Sequence, residues 1–232
     1  MKKVCFAVLL CVFLLAVIAA SAQAYTINDP ASDRIGDAVF ETYGINVSDI
    51  YNTGGFTIGI YTNYPQAGYT VGSWVTQPAD LFITETYNGS TYLWALVLKD
   101  HDGFSAGTMY AVGSYLTSDD LAPSSGYTYN HDVPVYVETV GNNYGYTEIS
   151  GSTVVWNTLA SGDPDYQISI AAAFYEDDPT GSLAFRWGTG TCANDVISGT
   201  VSATPIPGSL LFLGTGLVGL VGVGIRHKAC YA

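Results

Sequence analysis

Tyr92-Leu93-Trp94-Ala95-Leu96-Val97-Leu98 is the stretch on which the fold turns. A continuous apolar run of this length reads as a central strand buried on both faces. Upstream, residues 80–86 carry Leu81, Phe82 and Ile83, and Asn88-Gly89-Ser90 supplies a turn between the two runs. Downstream, Asp102-Gly103 marks the next turn, before a strand over 108–116. Further out, Phe56-Thr57-Ile58-Gly59-Ile60 alternates with the period of two that a half-buried strand requires. Residues 133–140, 152–157, 167–174, 183–187 and 195–201 read the same way. Turn residues separate them at Asn52-Thr53-Gly54-Gly55, Gly141-Asn142-Asn143, Gly162-Asp163-Pro164 and Asp178-Pro179-Thr180-Gly181. In residues 34–47, Ile35, Val39 and Tyr43 would align on a helix, but Gly44-Ile45-Asn46-Val47 reads better as strand. Residues 118–129, with Pro123 and Gly126, read as the longest loop. The pattern predicts an all-β fold: a single β-sandwich domain, jelly-roll-like.

Both ends of the chain depart from this pattern. Lys2 and Lys3 precede an apolar run over residues 4–20, followed by Ser21-Ala22-Gln23-Ala24. A basic start, an apolar middle and the small residues Ala22 and Ala24 predict a secretory signal peptide over 1–24, cleaved after Ala24. At the other end, Pro205-Ile206-Pro207-Gly208-Ser209 leads into an uncharged apolar stretch over 210–225, closed by Arg226-His227-Lys228. With its leading residues the stretch approaches the length that spans a bilayer, and the basic cluster is a stop-transfer signal that stays cytoplasmic. Gly214-Thr215-Gly216-Leu217-Val218-Gly219 matches a dinucleotide fingerprint, but no acidic residue follows it, so that reading is rejected. The expected organisation is a signal peptide (1–24), an exported β domain (25–204) and a C-terminal segment that halts in the inner membrane (205–232).

Divided this way, the composition becomes sharper. The chain has 20 acidic and 7 basic residues, a net charge of −13. All the acidic residues fall between 25 and 204, against Arg34, Lys99 and Arg186 alone. A body so acidic lacks the basic footprint of a nucleic-acid binder. Its aromatic content excludes a disordered acidic tail.

The C-terminal tag, with its Pro-x-Pro-Gly-Ser start, Leu/Gly-rich stretch and terminal basic cluster, resembles a PEP-CTERM-type sorting signal. In that family the tag is recognised by exosortase, a membrane peptidase-transferase of Gram-negative bacteria. Ile206 stands where the commonest form has Glu, and Ala229-Cys230-Tyr231-Ala232 extends past the basic cluster. The body carries further resemblance in Asp33-Arg34-Ile35-Gly36-Asp37, Ala79-Asp80-Leu81-Phe82, Gly107-Thr108-Met109-Tyr110, Thr117-Ser118-Asp119-Asp120 and the stretch from Phe185 to Asp195. Together these are similar to the exosortase-dependent surface proteins named for an X-Asp-Asp motif. The resemblance implies an exosortase partner, a transient inner-membrane stage, and display at the cell surface or in the extracellular matrix. It brings no catalytic residues.

Candidate chemistry in the body is sparse. Asp100 and Asp102 form half of a calcium-loop pattern, and Asp119-Asp120 and Glu176-Asp177-Asp178 add carboxylate clusters that suit Ca²⁺. Acids beside Gly and Pro also serve as turn formers. No spacing singles out a glycosidase acid pair, a G-x-S-x-G serine or a zinc site. Cys192 is the lone cysteine of the body and reads as a small buried hydrophobe, with an intermolecular disulfide as the alternative. Trp74, Trp94, Trp156 and Trp187, with Tyr-rich segments at 127–129 and 144–146, raise glycan binding, with exopolysaccharide as a partner. Against it, Trp94 and Trp187 lie in apolar strands and suit the core. The sequence therefore predicts a non-enzymatic exported surface protein, with a glycan-binding, Ca²⁺-dependent module as the alternative.

Overall fold

The computed structural model describes residues 24–30, 32–48, 55–87, 89–122, 126–143, 145–160, 162–172 and 182–202. Residues 1–23 of the expected signal peptide, the tag Pro205 to Ser209, the cluster Arg226-His227-Lys228 and Glu176-Asp177-Asp178 lie outside them. Strands make up 56% of the described residues and helix 4%, so the fold is all-β. No helix among the described residues is long and apolar enough to cross a membrane.

In chain order the first strands are β1 (Ala24–Asn28), β2 (Thr42–Ser48), β3 (Phe56–Thr62), β4 (Tyr69–Val71), β5 (Trp74–Thr76), β6 (Leu81–Tyr87) and β7 (Ser90–Leu96). There follow β8 (Met109–Thr117), β9 (Pro134–Val140), β10 (Glu148–Ile149), β11 (Thr153–Thr158), β12 (Tyr166–Ala172), β13 (Ser182–Gly188) and β14 (Val196–Ser202). One sheet has the order β1-β2-β3-β12-β11. A second has the order β10-β8-β7-β6-β13-β14, with β9 also paired to β8, and β4–β5 forms a two-stranded sheet of its own. Each of the two large sheets is thus a meander extended by a hairpin from later in the chain: β11–β12 adds to β3, and β13–β14 adds to β6. The pairings are antiparallel, as hairpin connections permit.

The opening stretch behaves as its composition demands. Trp94, Leu96 and Leu98 enter the main core, while Ala95 and Val97 enter a second cluster with Phe82, Tyr110 and Val137. Both faces of the strand are therefore covered. The main core takes Ile45, Ile58, Ile60, Ile168 and Ile170 from the first sheet and Leu81, Ile83, Trp94, Phe185 and Trp187 from the second. Phe56 and Phe185 meet edge-on across it, with centroids 6.1 Å apart. The Trp94 indole donates to the buried Glu85 carboxylate at 3.1 Å, and that of Trp187 to the Ala79 carbonyl at 3.1 Å.

Several elements differ from the sequence pattern. Residues 34–41 form no helix beyond a 3₁₀ turn at Ala38–Phe40. The expected long loop begins with a one-turn helix, α1 (Ser118–Leu121). Asp120 accepts from the Thr117 N–H and hydroxyl at 2.8 Å, which caps it. The strands β1, β4, β5 and β10 carry too few residues or too little alternation to stand out in the sequence.

Candidate functional site

The sequence motifs far apart in the chain converge at one end of the body. The link from β13 to β14, Thr189-Gly190-Thr191-Cys192-Ala193-Asn194-Asp195, folds on itself. Its bonds are Thr189 N–H to Asp195 O at 2.9 Å and Asp195 N–H to Thr189 Oγ1 at 3.0 Å. Gly190 is held at φ +64°, where a Cβ would lie 2.7 Å from the Tyr64 hydroxyl, so glycine is required. Cys192 is 1% exposed and packs in the main core, and burial pushes its thiol up to about 12.

Residues 32–42 wrap this link. The Ile35 N–H donates to the Asn194 carbonyl at 2.6 Å, and the Thr42 N–H to Asp195 Oδ2 at 2.6 Å. Buried Glu41 accepts from the Ser32 N–H at 2.7 Å and pairs with the Arg34 guanidinium. Carboxylate oxygens of Asp29, Asp33 and Asp195 come within 4.8 Å of one another. Burial, then the charges of Asp195, Asp33 and Glu41, pushes the Asp29 carboxyl up to about 8. Burial likewise raises Asp195 to about 6, against the opposing pull of the Thr42 N–H. Oxygen ligands so spaced suit a hard cation such as Ca²⁺; a retained proton relieves the same repulsion.

On the other side of the link lies a cleft of about 600 Å³. Its walls include Phe40, Tyr69, Trp74 and Tyr127, with Asp37 and Asn194 as polar groups. The β4–β5 hairpin presents Tyr69 and Trp74 through a two-residue turn, Gly72-Ser73. A Cβ on Gly72 would lie 2.8 Å from the Tyr127 hydroxyl, so this glycine admits the tyrosine. Trp74 and Tyr127 meet at 68° with centroids 5.6 Å apart. Tyr69 stands edge-on to Phe40 at 5.7 Å and donates its hydroxyl to Asp37 Oδ2 at 2.8 Å. Asn194 is 7% exposed, and its Oδ1 has no hydrogen-bond partner. A buried acceptor left unpaired costs about 1–3 kcal/mol.

Among the described residues, Asp100, Asp102, Asp119 and Asp120, singled out from the sequence, form no group of three that could hold a metal. Asp100 accepts from the Ala106 N–H at 2.7 Å, and Asp102 sits at φ 42° in the turn closed by His101 and Phe104. Asp119 binds His131 Nδ1 at 2.6 Å and the Asp132 N–H at 2.9 Å, while Asp120 caps α1. The carboxylates of Asp100, Asp119 and Asp120 thus organise their own turns. The group of three that gathers among the described residues is Asp29, Asp33 and Asp195. No local spacing announces it, since Asp29 and Asp33 come from the loop after β1 and Asp195 from the β13–β14 link.

A buried pair supports this end from beneath. Asp80 is fully buried and binds His101 Nε2 at 3.0 Å and the Val137 N–H at 2.9 Å. The His101 ring stacks on Tyr136, with centroids 3.9 Å apart. Burial pushes the Asp80 carboxyl up, while His101 and backbone N–H groups draw it down. Comparison with protein-family models, curated proteins and solved structures finds no significant match for this chain.

Proposed function

We propose that this chain is an exported, non-enzymatic surface protein, with a β-sandwich body delivered and processed through its two ends. The signal peptide directs export, and the C-terminal tag holds the chain in the inner membrane. An exosortase-type enzyme cleaves near Pro205 to Pro207 and passes the body to the cell surface or extracellular matrix. The two sheets face one another as the sandwich, sharing one apolar core. Its path, a meander extended by a hairpin in each sheet, differs from the paired Greek keys of a jelly roll.

The observation that carries this reading is how the body closes. The strands from Ala24 to Ser202 build the two large sheets, the β4–β5 hairpin and their core between the two apolar ends. The first and last strands meet: the Tyr25 hydroxyl donates to the Ser202 carbonyl at 3.0 Å. The two ends of the described body therefore lie side by side. The test is expression with and without residues 205–232, in hosts with and without an exosortase, followed by mass spectrometry of the termini. Processing near Pro205 only where tag and enzyme are both present is the expected result. The same size and location in all four cases would overturn the reading.

A further inference from the structure

We infer that the cleft between the β4–β5 hairpin and residues 126–128 binds a neutral saccharide. The chemistry of its walls selects this ligand. Trp74 and Tyr127 are half-buried, and their rings offer apolar faces to the C–H face of a pyranose ring. Such faces alone would suit any apolar guest. The polar groups narrow the choice, because Asp37 and Asn194 are planar acceptors set beside the rings. The Asn194 Oδ1 is a buried acceptor that the protein leaves unpaired, and a sugar hydroxyl is a donor that can reach into such a place. Sugar hydroxyls also accept, which matches the Asn194 amide N–H groups.

Charge excludes the acidic polymers. Among the described lining residues the one charged side chain is Asp37, and none is basic. Asp37 stands in the wall itself, so a uronate or sulfated chain meets repulsion with no basic lining residue to answer it. The volume of about 600 Å³ falls within the ~300–1,000 Å³ of small-ligand sites. The site does not depend on how the chain is sorted.

The experiment is calorimetric titration of the full chain, held in a detergent without a sugar headgroup. The probes are cellohexaose, laminarihexaose, mannohexaose and hexagalacturonate. At least one neutral hexasaccharide should bind at least about tenfold more tightly than hexagalacturonate. Tyr127→Ala and Trp74→Ala should each weaken that binding about tenfold or more, as truncating an aromatic anchor does. Trp74→Phe, which keeps a ring face, should restore it to within about threefold. Trp74 also packs on the core. Thr128→Trp, at an exposed lining position, therefore fills the cleft without touching the fold and should also abolish binding. Three outcomes overturn the inference: no heat with any neutral probe at millimolar concentration, binding indifferent to Thr128→Trp and Tyr127→Ala, or hexagalacturonate binding as tightly as the best neutral probe.

Discussion

The end of β7 with the two residues after it and the link between β13 and β14 are both buried and are built from opposite materials. From Trp94 to Leu98 five successive residues are at most 1% exposed, and all are apolar. From Thr189 to Asp195 the buried residues include Thr189, Thr191, Asn194 and Asp195. The first region gains from leaving water. The second must answer every polar group it buries, and at Asp29, Asp195 and Asn194 the answer is incomplete without a proton or a ligand. The comparison separates the part of the molecule that holds it together from the part that is free to respond to its surroundings.

The sharpest way to break the comparison is Trp94→Ala. It empties the core and strips Glu85 of its indole donor. A loss of roughly 3–5 kcal/mol is expected, read as a fall in the denaturant midpoint. A loss below about 1 kcal/mol would mean that the central strand does not carry the core.

Asp29→Asn should act in the other direction. The folded state raises Asp29 from 3.8 to about 8 and Asp195 from 3.8 to about 6. The native protein therefore keeps protons that the unfolded chain has released. Stability from these groups is complete below about 3.8 and is lost as the pH rises through about 6 and about 8. At pH near 8 the amide should raise the melting temperature by roughly 2–4 °C, the shift made by about 1 kcal/mol in a domain of this size. The gain should shrink as the pH falls and vanish below about 3.8. Wild-type and variant curves that run parallel across this range would show that Asp29 is not strained by its neighbours.

Val155→Thr should do least. Val155 is 50% exposed on β11, and the change is expected to stay within about 0.5 kcal/mol by denaturant titration. A larger effect would show that the outer face of this sheet is covered.

The contrast also explains what was legible in the sequence. The β6–β7 hairpin was readable because local signals agree: two apolar runs flank Asn88-Gly89, and the ladder runs from Leu81↔Leu96 to Tyr87↔Ser90. Strands β4 and β5 were not readable, since three residues cannot display a period, and their pairing depends on the Gly72-Ser73 turn. The helix α1 hid because its cap uses Asp120 where the sequence signature has Glu or Gln. In the candidate site, Asp33, Asp37, Asn194 and Asp195 fell within the resembling motifs, but nothing local said that the two segments touch. Trp74 and Tyr127 stood among many aromatic residues, and only the tertiary fold distinguishes them from Trp94 and Trp187. Turn-forming acids such as Asp100 and Asp120 resemble metal ligands in sequence because both roles need a short carboxylate in a loop.

The bond between Tyr25 and Ser202 has a mechanical meaning. Asn194 stands two residues before β14, and Ser202 ends it, roughly 26 Å away at about 3.3 Å per residue. A load applied between the cleft and the residues beyond Ser202 therefore runs along β14. Its ladder with β13 extends from Ser182↔Ser202 to Gly188↔Val196, so this pull shears the rungs together instead of unzipping them in turn. The Tyr25 hydroxyl clamps the loaded end. A body gripped at these two points would carry tension along β14.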